Sequence, residues 1–333
     1  LPDDELACRL ISALNIASDD WIGDGTSGYE DDGLFGNQDR KIFAMSLVEK
    51  QSVVTKEVLE RRWGISLDTA HRTLRATTQR GVRSFINPTD RRLSTKLPHL
   101  AFPMLRNRKM YTDTLFAKVK SIRSNVCAQD WTDGNGYSLF YPLRSKEDAY
   151  TTVSKMVHDM RGIPEVIVSD GSGEQTGKKW MAEIRHFRSR HHLIEPFSPW
   201  QKRAERDIQE RKWGINRATR RGRSPKRLWD YCGQWVTAIR RLTAHDNPAL
   251  DGLTAEESVH ARTPDISAYS MFDWYEPVWY IDPAKDTAQS RRVLGRWIGV
   301  AEDIGSSLTY FILPKSCIPV ARSSVFPVTQ EER

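Results

Sequence analysis

The stretch Val166-Ile167-Val168-Ser169-Asp170-Gly171 decides the fold that we expect for this chain. Its short apolar run is typical of a strand buried on both faces, and Gly171, Gly173 and Gly177 then mark a loop. The carboxylate of Asp170 is therefore expected at the carboxyl end of a strand. In open α/β sheets, ligands bind in the crevice outside these strand ends.

The elements around Asp170 predict a mixed α/β sheet, because three strands are followed by alternating helices and strands. In chain order they are strands over 110–117, 125–131 and 137–142, a helix over 146–161, the strand ending at Asp170, a helix near 179–188, a strand over 192–196 and a long helix from Ser198 towards Arg221. A further amphipathic helix over 227–243 carries an apolar stripe, which favours core or a subunit contact over a ligand site. The members of this stripe are Leu228, Trp229, Cys232, Trp235, Val236 and Ile239.

Two more carboxylates have contexts that complete a site with Asp170. Asp113 lies in the middle of the β-prone stretch Met110-Tyr111-Thr112-Asp113-Thr114-Leu115-Phe116. Glu205 follows Ser198 and Pro199, which suit a helix N-cap and first turn. At a period of 3.6, the residues that share its helix face are Gln201, Ile208, Gln209 and Lys212.

Three carboxylates brought together repel one another unless cations lie between them. Oxygen ligands of this kind suit Mg²⁺ or Mn²⁺. The hypothesis is therefore a two-metal phosphoryl-transfer site, with Asp113, Asp170 and Glu205 as both the catalytic and the metal-binding residues.

Each of these residues also has a simpler interpretation as a surface carboxylate, because 43 of the 333 residues are acidic. Asp130 and Asp133 compete with Asp113. In Asp133-Gly134-Asn135-Gly136 the aspartate is more simply a hairpin-turn residue. Among three further carboxylates, Asp207 and Glu210 are interpreted as solvated charges on a helix, and Glu174 is interpreted as a loop residue.

Length and charge predict two or three domains and regions of opposite charge. A chain of 333 residues exceeds one ordinary core, and its net charge of +7 is unevenly distributed. Residues 1–45 are acidic and glycine-rich and are expected to form a leader or linker, whereas 86–109 form a basic linker containing prolines. The start of the sequence lacks the basic and apolar parts of a targeting signal, and no run of about 18 apolar residues occurs, so no membrane association is expected. Four scattered cysteines argue for a reducing compartment.

Residues 46–85 predict a helical domain with two helices joined at Gly64, similar to a helix-turn-helix. Ser66 is a suitable cap for the second helix. Ile65, Ala70 and Leu74 would face inward, and the residues facing outward would be Arg72, Arg75 and Arg80. Such a basic face fits phosphate contact, and a purely structural helical hairpin fits equally well.

After Pro264 the pattern changes to a period near two, which predicts a small β-barrel over 265–333. Its expected strands cover 274–281, 292–300, 307–313 and 319–325. Barrels of this kind are general adaptors, so this domain could bind nucleic acid or a partner, and no enzymatic role is expected of it.

These motifs resemble a retroelement integrase, most closely that of the copia class of long-terminal-repeat retrotransposons. The resemblance covers most of residues 100–330 and rests on Tyr111-Thr112-Asp113, Ser169-Asp170-Gly171, the Ser198-Pro199-Trp200-Gln201 approach to Ala204-Glu205-Arg206, Leu253-Thr254-Ala255-Glu256 and Arg322-Ser323-Ser324-Val325-Phe326. It implies a ribonuclease-H-like core over 110–250, in which Asp113, Asp170 and Glu205 hold two divalent ions, followed by an SH3-like barrel.

The chain departs from the pattern of this family at three places. Gly171 stands where the family usually has Asn, and the interval from Pro199 to Glu205 is one residue short, with Lys202 and Arg203 replacing small residues. The family also has an amino-terminal zinc module of two His and two Cys. No Cys lies between Cys8 and Cys127, so no zinc is predicted.

The resemblance implies metal-dependent 3′-end processing and strand transfer of element DNA into target DNA. Its partners would be double-stranded DNA, further copies of the chain and a host tethering factor, and it would act in the nucleus after synthesis in the cytoplasm within a polyprotein. Basic and amide side chains expected to contact DNA are Gln201, Lys202, Arg206, Gln209, Lys212, Arg217, Arg220, Arg221, Arg223, Lys226 and Arg227. Three alternatives stay open: a transposase or a ribonuclease H of the same core, and an inactive DNA-binding scaffold.

Overall fold

The computed structural model describes residues 54–81, 108–195, 203–283, 292–305 and 308–328. The predicted leader over 1–45, the basic linker up to residue 107, and the DNA-contact residues Gln201 and Lys202 lie outside these ranges. None of the helices described in them combines the length and the apolar character needed to cross a bilayer.

The first sheet is mixed and has the strand order β3-β2-β1-β4-β5. Its strands are β1 (Lys109–Phe116), β2 (Cys127–Thr132), β3 (Ser138–Leu143), β4 (Val166–Ser169) and β5 (Arg190–Leu193). The first three strands pair antiparallel, and β4 pairs parallel with both β1 and β5. The prediction of a mixed α/β sheet is confirmed, and its arrangement is consistent with a ribonuclease-H-like core.

Helices lie before, between and after these strands. In chain order they are α1 (Lys56–Trp63), α2 (Leu67–Ala76), α3 (Thr151–Met160), α4 (Gly173–Thr176), α5 (Lys178–His186), α6 (Arg203–Gly222), α7 (Trp229–Leu242), α8 (Ala255–His260) and α9 (Ser267–Ser270). Short 3-10 segments cover Lys146–Tyr150, Lys226–Leu228 and Pro248–Leu250. The first of these begins the region that the sequence predicted as one helix over 146–161.

Both faces of the first sheet are covered, because alternate strand residues point to opposite sides. On one face, Met110 and Ile167 pack with side chains of α3 and α5. On the other face, Leu115 packs with Ile208 of α6 and Trp229 of α7. The face under α6 also carries Asp113, since Asp113 and Leu115 are two positions apart on β1.

The second sheet is antiparallel and has the order β10-β6-β7-β8-β9. Its strands are β6 (Pro277–Ile281), β7 (Arg292–Val300), β8 (Tyr310–Pro314), β9 (Val320–Arg322) and β10 (Val325–Pro327). A single strand over 319–325 was a wrong prediction. The strand is interrupted at Ser323 and Ser324, because β9 pairs with β8 whereas β10 pairs with β6 at the opposite edge of the sheet. The SH3-like barrel stays a prediction.

The helix pair α1–α2 turns at Gly64, whose φ of 65° is a left-handed conformation that glycine adopts readily. Ser66 caps α2, as predicted, by accepting the N–H of Thr69 at 3.2 Å. Arg72 was expected to face outward, but it lies between the carboxylates of Asp68 and Asp246, at 3.3 and 3.4 Å.

The helix pair, α7 and the second sheet share one hydrophobic core. Trp63 of α1, Trp235 of α7 and Trp297 of β7 belong to the same buried cluster. Trp63 also donates its indole N–H to the carbonyl of Tyr269 at 3.0 Å. The interpretation of the α7 stripe as core is therefore confirmed.

Candidate active site

The pairing of β1 with β4 brings Asp113 and Asp170 to neighbouring positions. Thr112 lies opposite Ser169 in this parallel pair, and the next residue on each chain is one of the two aspartates. Adjacent strands are about 4.8 Å apart, and residues opposite each other in a parallel pair project to the same face. The fold therefore places these two carboxylate-bearing residues side by side where β4 ends.

Main-chain hydrogen bonds orient both carboxylates. Asp113 Oδ1 accepts the N–H of Thr114 at 2.6 Å. Asp170 Oδ1 accepts the N–H of Ser172 at 3.2 Å, in the loop that precedes α4. Both residues are half-buried, so each remains accessible from the solvent side.

Glu205 lies in the first turn of α6 and is exposed. Three residues later, Ile208 packs with Leu115 of β1 and Ala128 of β2. The first turn of α6 therefore lies over the sheet face that carries Asp113. Glu205, Ile208 and Lys212 were expected to share one face of this helix. They differ in burial, because Ile208 is buried whereas Glu205 and Lys212 are exposed.

Within the ranges that the structure describes, no group of three or more His, Cys, Asp or Glu side chains is placed to hold a metal ion. The fold places Asp113 and Asp170 at neighbouring positions and gives Glu205 a place on the same side of the sheet. The set of three metal-binding carboxylates stays a prediction.

A buried ion cluster lies next to Asp113. Asp130 is directly opposite Asp113 in the antiparallel pair of β1 and β2, and its side chain is fully buried. Arg211 of α6, also fully buried, is 3.0 Å from Asp130 and 2.5 Å from Asp207. Arg240 of α7 is 3.0 Å from the other oxygen of Asp207. Asp130 is therefore closed off beneath α6 and pairs with Arg211.

Electrostatics in this cluster are dominated by burial. Desolvation raises the pKa of Asp130 well above its ordinary value, the charges of Arg211 and Arg240 oppose this shift, and the nearby carboxylate of Asp207 adds to it. The two aspartates thus share the fully buried guanidinium of Arg211.

The interpretation of Asp207 as a solvated helix charge was wrong. Asp207 and Arg211 lie on the same side of α6 as Ala204 and Ile208, the side that packs on the sheet. The spacing of four residues between Asp207 and Arg211, in phase with Ala204 and Ile208, was the available signal for a buried ion pair. Asp133 behaves as expected for a hairpin turn, since its Oδ1 accepts the N–H groups of Asn135 and Tyr137, at 2.8 and 3.0 Å.

Most of the predicted DNA-contact residues that the structure describes are solvent-exposed. They are Arg206, Gln209, Lys212, Arg217, Arg220, Arg223, Lys226 and Arg227. Arg221 is engaged elsewhere, because its guanidinium donates to the carbonyls of Arg61 and Arg62 at the end of α1. Sequence reasoning missed Trp213, which stands among these residues with 82% of its surface exposed.

No family model matches this chain, and no curated protein matches it. Among solved structures, it is similar to the integrase catalytic core domain of HTLV-2, solved in complex with magnesium in a trimeric form. The two are 16% identical, the match covers 47% of this chain and 97% of that one, and the TM-score is 0.37. A similarity at this level supports no conclusion about function. The description of the first sheet as a mixed α/β sheet therefore rests on its own strand order and register.

Proposed function

We propose that this chain is a polynucleotidyl transferase that integrates retroelement DNA, of the copia class that its motifs resemble. The observation that carries the proposal is the register of β1 and β4, which makes Asp113 and Asp170 neighbours on the face covered by α6. An exposed row of basic and amide side chains on α6 supports it, because such groups meet phosphates and base edges.

The carboxylates fit divalent cations by the chemistry of their donor atoms. Asp113 and Asp170 would hold two Mg²⁺ or Mn²⁺ ions, and Glu205 would complete the set. Held by these residues, the ions would supply Lewis-acid chemistry at a phosphodiester, which activates a nucleophile and stabilises the leaving oxygen. Neighbouring carboxylates on one sheet face repel each other when no cation lies between them. This repulsion is the physical reason to expect bound cations.

The proposed reaction has two steps at the same site. Water first hydrolyses a phosphodiester near the end of the element DNA, which leaves a recessed 3′ hydroxyl and releases a short fragment with a 5′ phosphate. This hydroxyl then attacks a phosphodiester of the target duplex, forms a new phosphodiester and displaces a 3′ hydroxyl of the target strand. The residues of α6 would hold the DNA, with Lys212, Arg217 and Arg220 attracting phosphates irrespective of sequence. Joining two ends in concert requires cooperating copies of the chain. A nuclear site of action, synthesis within a polyprotein and a host tethering factor belong to the same proposal.

A strand-transfer assay with the full chain, labelled element-end duplex and Mg²⁺ or Mn²⁺ tests this function. Asp170→Asn and Glu205→Gln preserve side-chain shape and remove charge, and we expect both to abolish joining while retaining DNA binding. Glu147→Gln is the matched control, because Glu147 is exposed and lies outside the proposed site. Unchanged joining in either site variant removes that residue from the mechanism.

The same assay separates the alternatives. Binding without joining in the wild type favours the inactive scaffold, and cleavage restricted to the RNA strand of a hybrid favours a ribonuclease H. Excision of a complete double-stranded element favours a transposase. Strand transfer from a recessed 3′ end supports the integrase.

A further inference from the structure

Trp213 is the most exposed large apolar side chain among the described residues, at 82% of its surface. An indole ring carries a large apolar area, and leaving it in water has no stabilising effect on the fold. The next residue, Gly214, faces the other way, since a Cβ at that position would lie 2.6 Å from Val236 of α7. Trp213 therefore stands on the side of α6 that faces away from the sheet, opposite the buried residues Ala204, Ile208 and Arg211.

Cationic and amide side chains surround this ring. One turn before it lies Gln209, beside it lies Lys212, one turn after it lie Asn216 and Arg217, and two turns after it lies Arg220, all of them exposed. The acidic neighbour, Glu210, is paired with Arg240 and lies 3.5 Å from Arg206. The surface around Trp213 is therefore positively charged. Lysine is depleted in protein interfaces, whereas aromatic rings set among basic groups are typical of surfaces that bind single-stranded nucleic acid.

A cavity of about 610 Å³ opens beside the ring, between α6, α7 and the end of α1. Trp213 lines it together with Ile65, Val236 and Arg217. Its volume falls within the range of small-ligand sites, about 300–1,000 Å³. A flat ring at the rim of such a cavity has one face on which a nucleobase that has left its base stack could lie.

We propose that Trp213 is a stacking platform for an unpaired nucleobase, with Lys212, Arg217 and Arg220 on the flanking phosphates. The inference rests on the proposed function in so far as α6 holds the DNA strand. Trp213 follows Glu205 by eight residues, which is about 12 Å along a helix. At about 3.4 Å per nucleotide, the stacked base lies roughly three to four nucleotides from the reacting phosphate.

Binding of fluorescent DNA to the full chain tests this proposal. The probes are a blunt duplex, the same duplex with an unpaired tail of about five nucleotides, and the single strand alone. We expect Trp213→Ala to weaken binding of the tailed and single-stranded probes about 5- to 150-fold, with a much smaller effect on the blunt duplex. Trp213→Phe keeps an aromatic face and should recover most of the affinity. Ile318→Ala is the matched control, because Ile318 is also an exposed apolar residue, at 69%.

The outcomes distinguish this inference from the proposed function. If the wild type joins DNA but Trp213→Ala binds all three probes like the wild type, stacking is overturned and the integrase proposal stands. An equal loss on blunt and tailed probes also overturns it. Loss of self-association in Trp213→Ala, measured by sedimentation with DNA binding unchanged, assigns the ring to a protein contact instead. A wild type that binds no DNA overturns both proposals.

Discussion

The buried ion cluster under α6 can be tested by replacing Asp130 and Asp207 with Asn, singly and together. Arg211 lies fully buried between these two carboxylates. Burial raises the pKa of Asp130, the charges of Arg211 and Arg240 oppose that shift, and Asp207 faces two guanidinium groups. Each aspartate can act as the counter-ion of Arg211 when the other is removed.

The expected costs near pH 5 follow from these contacts. Asp130→Asn leaves Asp207 as the counter-ion of Arg211 and should change the unfolding free energy by less than about 1 kcal/mol. Asp207→Asn removes two ion pairs and leaves the buried Asp130 as the only carboxylate beside Arg211, at a cost of about 2 kcal/mol. In the double variant the guanidinium of Arg211 is buried without a counter-ion. Because a guanidinium cannot release its proton, this costs about 4–5 kcal/mol. The excess of about 2 kcal/mol over the sum of the single variants is the predicted coupling.

Thermal unfolding of the full chain, followed by near-ultraviolet circular dichroism, measures this coupling. About 2–4 °C of Tm corresponds to 1 kcal/mol in a unit of this size, so the double variant should lose roughly 10–20 °C. The matched control is Asp246→Asn, which removes an exposed partner of Arg72 and should cost less than about 1 kcal/mol. Effects of the two single variants that add to within about 0.5 kcal/mol would refute the shared counter-ion.

The pH dependence of stability gives the same cluster a second test. The unfolded chain releases the proton of Asp130 near its ordinary pKa of 3.8, whereas the folded chain retains it to higher pH. The stability contributed by Asp130 is therefore fully present below pH 3.8 and is lost as the pH rises through the folded pKa. Asp130→Asn lacks this titration, so its Tm should gain on that of the wild type over the interval in which the pH rises from 3.8 through the raised pKa of the folded state. A constant difference in Tm across this interval contradicts the raised pKa.

Three further substitutions probe the packing of α7, the attachment of α1 and the charge of α6. Gly233→Ala places a Cβ 2.4 Å from Phe140 and should cost about 1–3 kcal/mol in thermal unfolding, whereas Gly173→Ala, with nothing within 4 Å, should leave Tm unchanged; equal shifts in Tm contradict the packing. Arg221→Gln removes the guanidinium from the last carbonyls of α1 and should speed amide hydrogen exchange in that helix about 10-fold, and unchanged exchange means that the contact contributes nothing. Lys212→Ala should lower the slope of log affinity against log salt for duplex DNA by about 1, and a slope equal to that of the wild type excludes a phosphate contact.

The sequence alone predicted the elements that bring Asp113 and Asp170 together. Both aspartates lie in short β-prone segments whose pattern is local, and a local pattern is enough to identify a strand. The parallel pairing of β1 with β4 then follows from the intervening helix, because parallel neighbours need a crossover connection. Glu205 was placed on a helix by the same local reasoning.

The remainder of the site depends on contacts between distant parts of the chain. Asp207 was interpreted as a solvated charge because its burial is created by Arg211 and by Asp130, which is 77 residues away in the chain (130 to 207). A pattern of period 3.6 identifies the buried side of a helix, but it does not show that a charged residue finds its counter-ion there. The division of the predicted strand over 319–325 has the same origin, since its two halves pair with different strands.

Helix α6 joins the candidate carboxylate site to the rest of the molecule. It has 20 residues and is about 30 Å long. The buried ion pairs of Arg211 hold it on the sheet, the close approach of Gly214 to Val236 holds it on α7, and Arg221 attaches its end to α1. Glu205 and Trp213 lie on this one helix, so the separation between them is set by helix geometry. DNA bound along α6 would therefore contact the carboxylates and the exposed indole at a constant spacing. The base stacked on Trp213 would then lie at a fixed distance from the reacting phosphate.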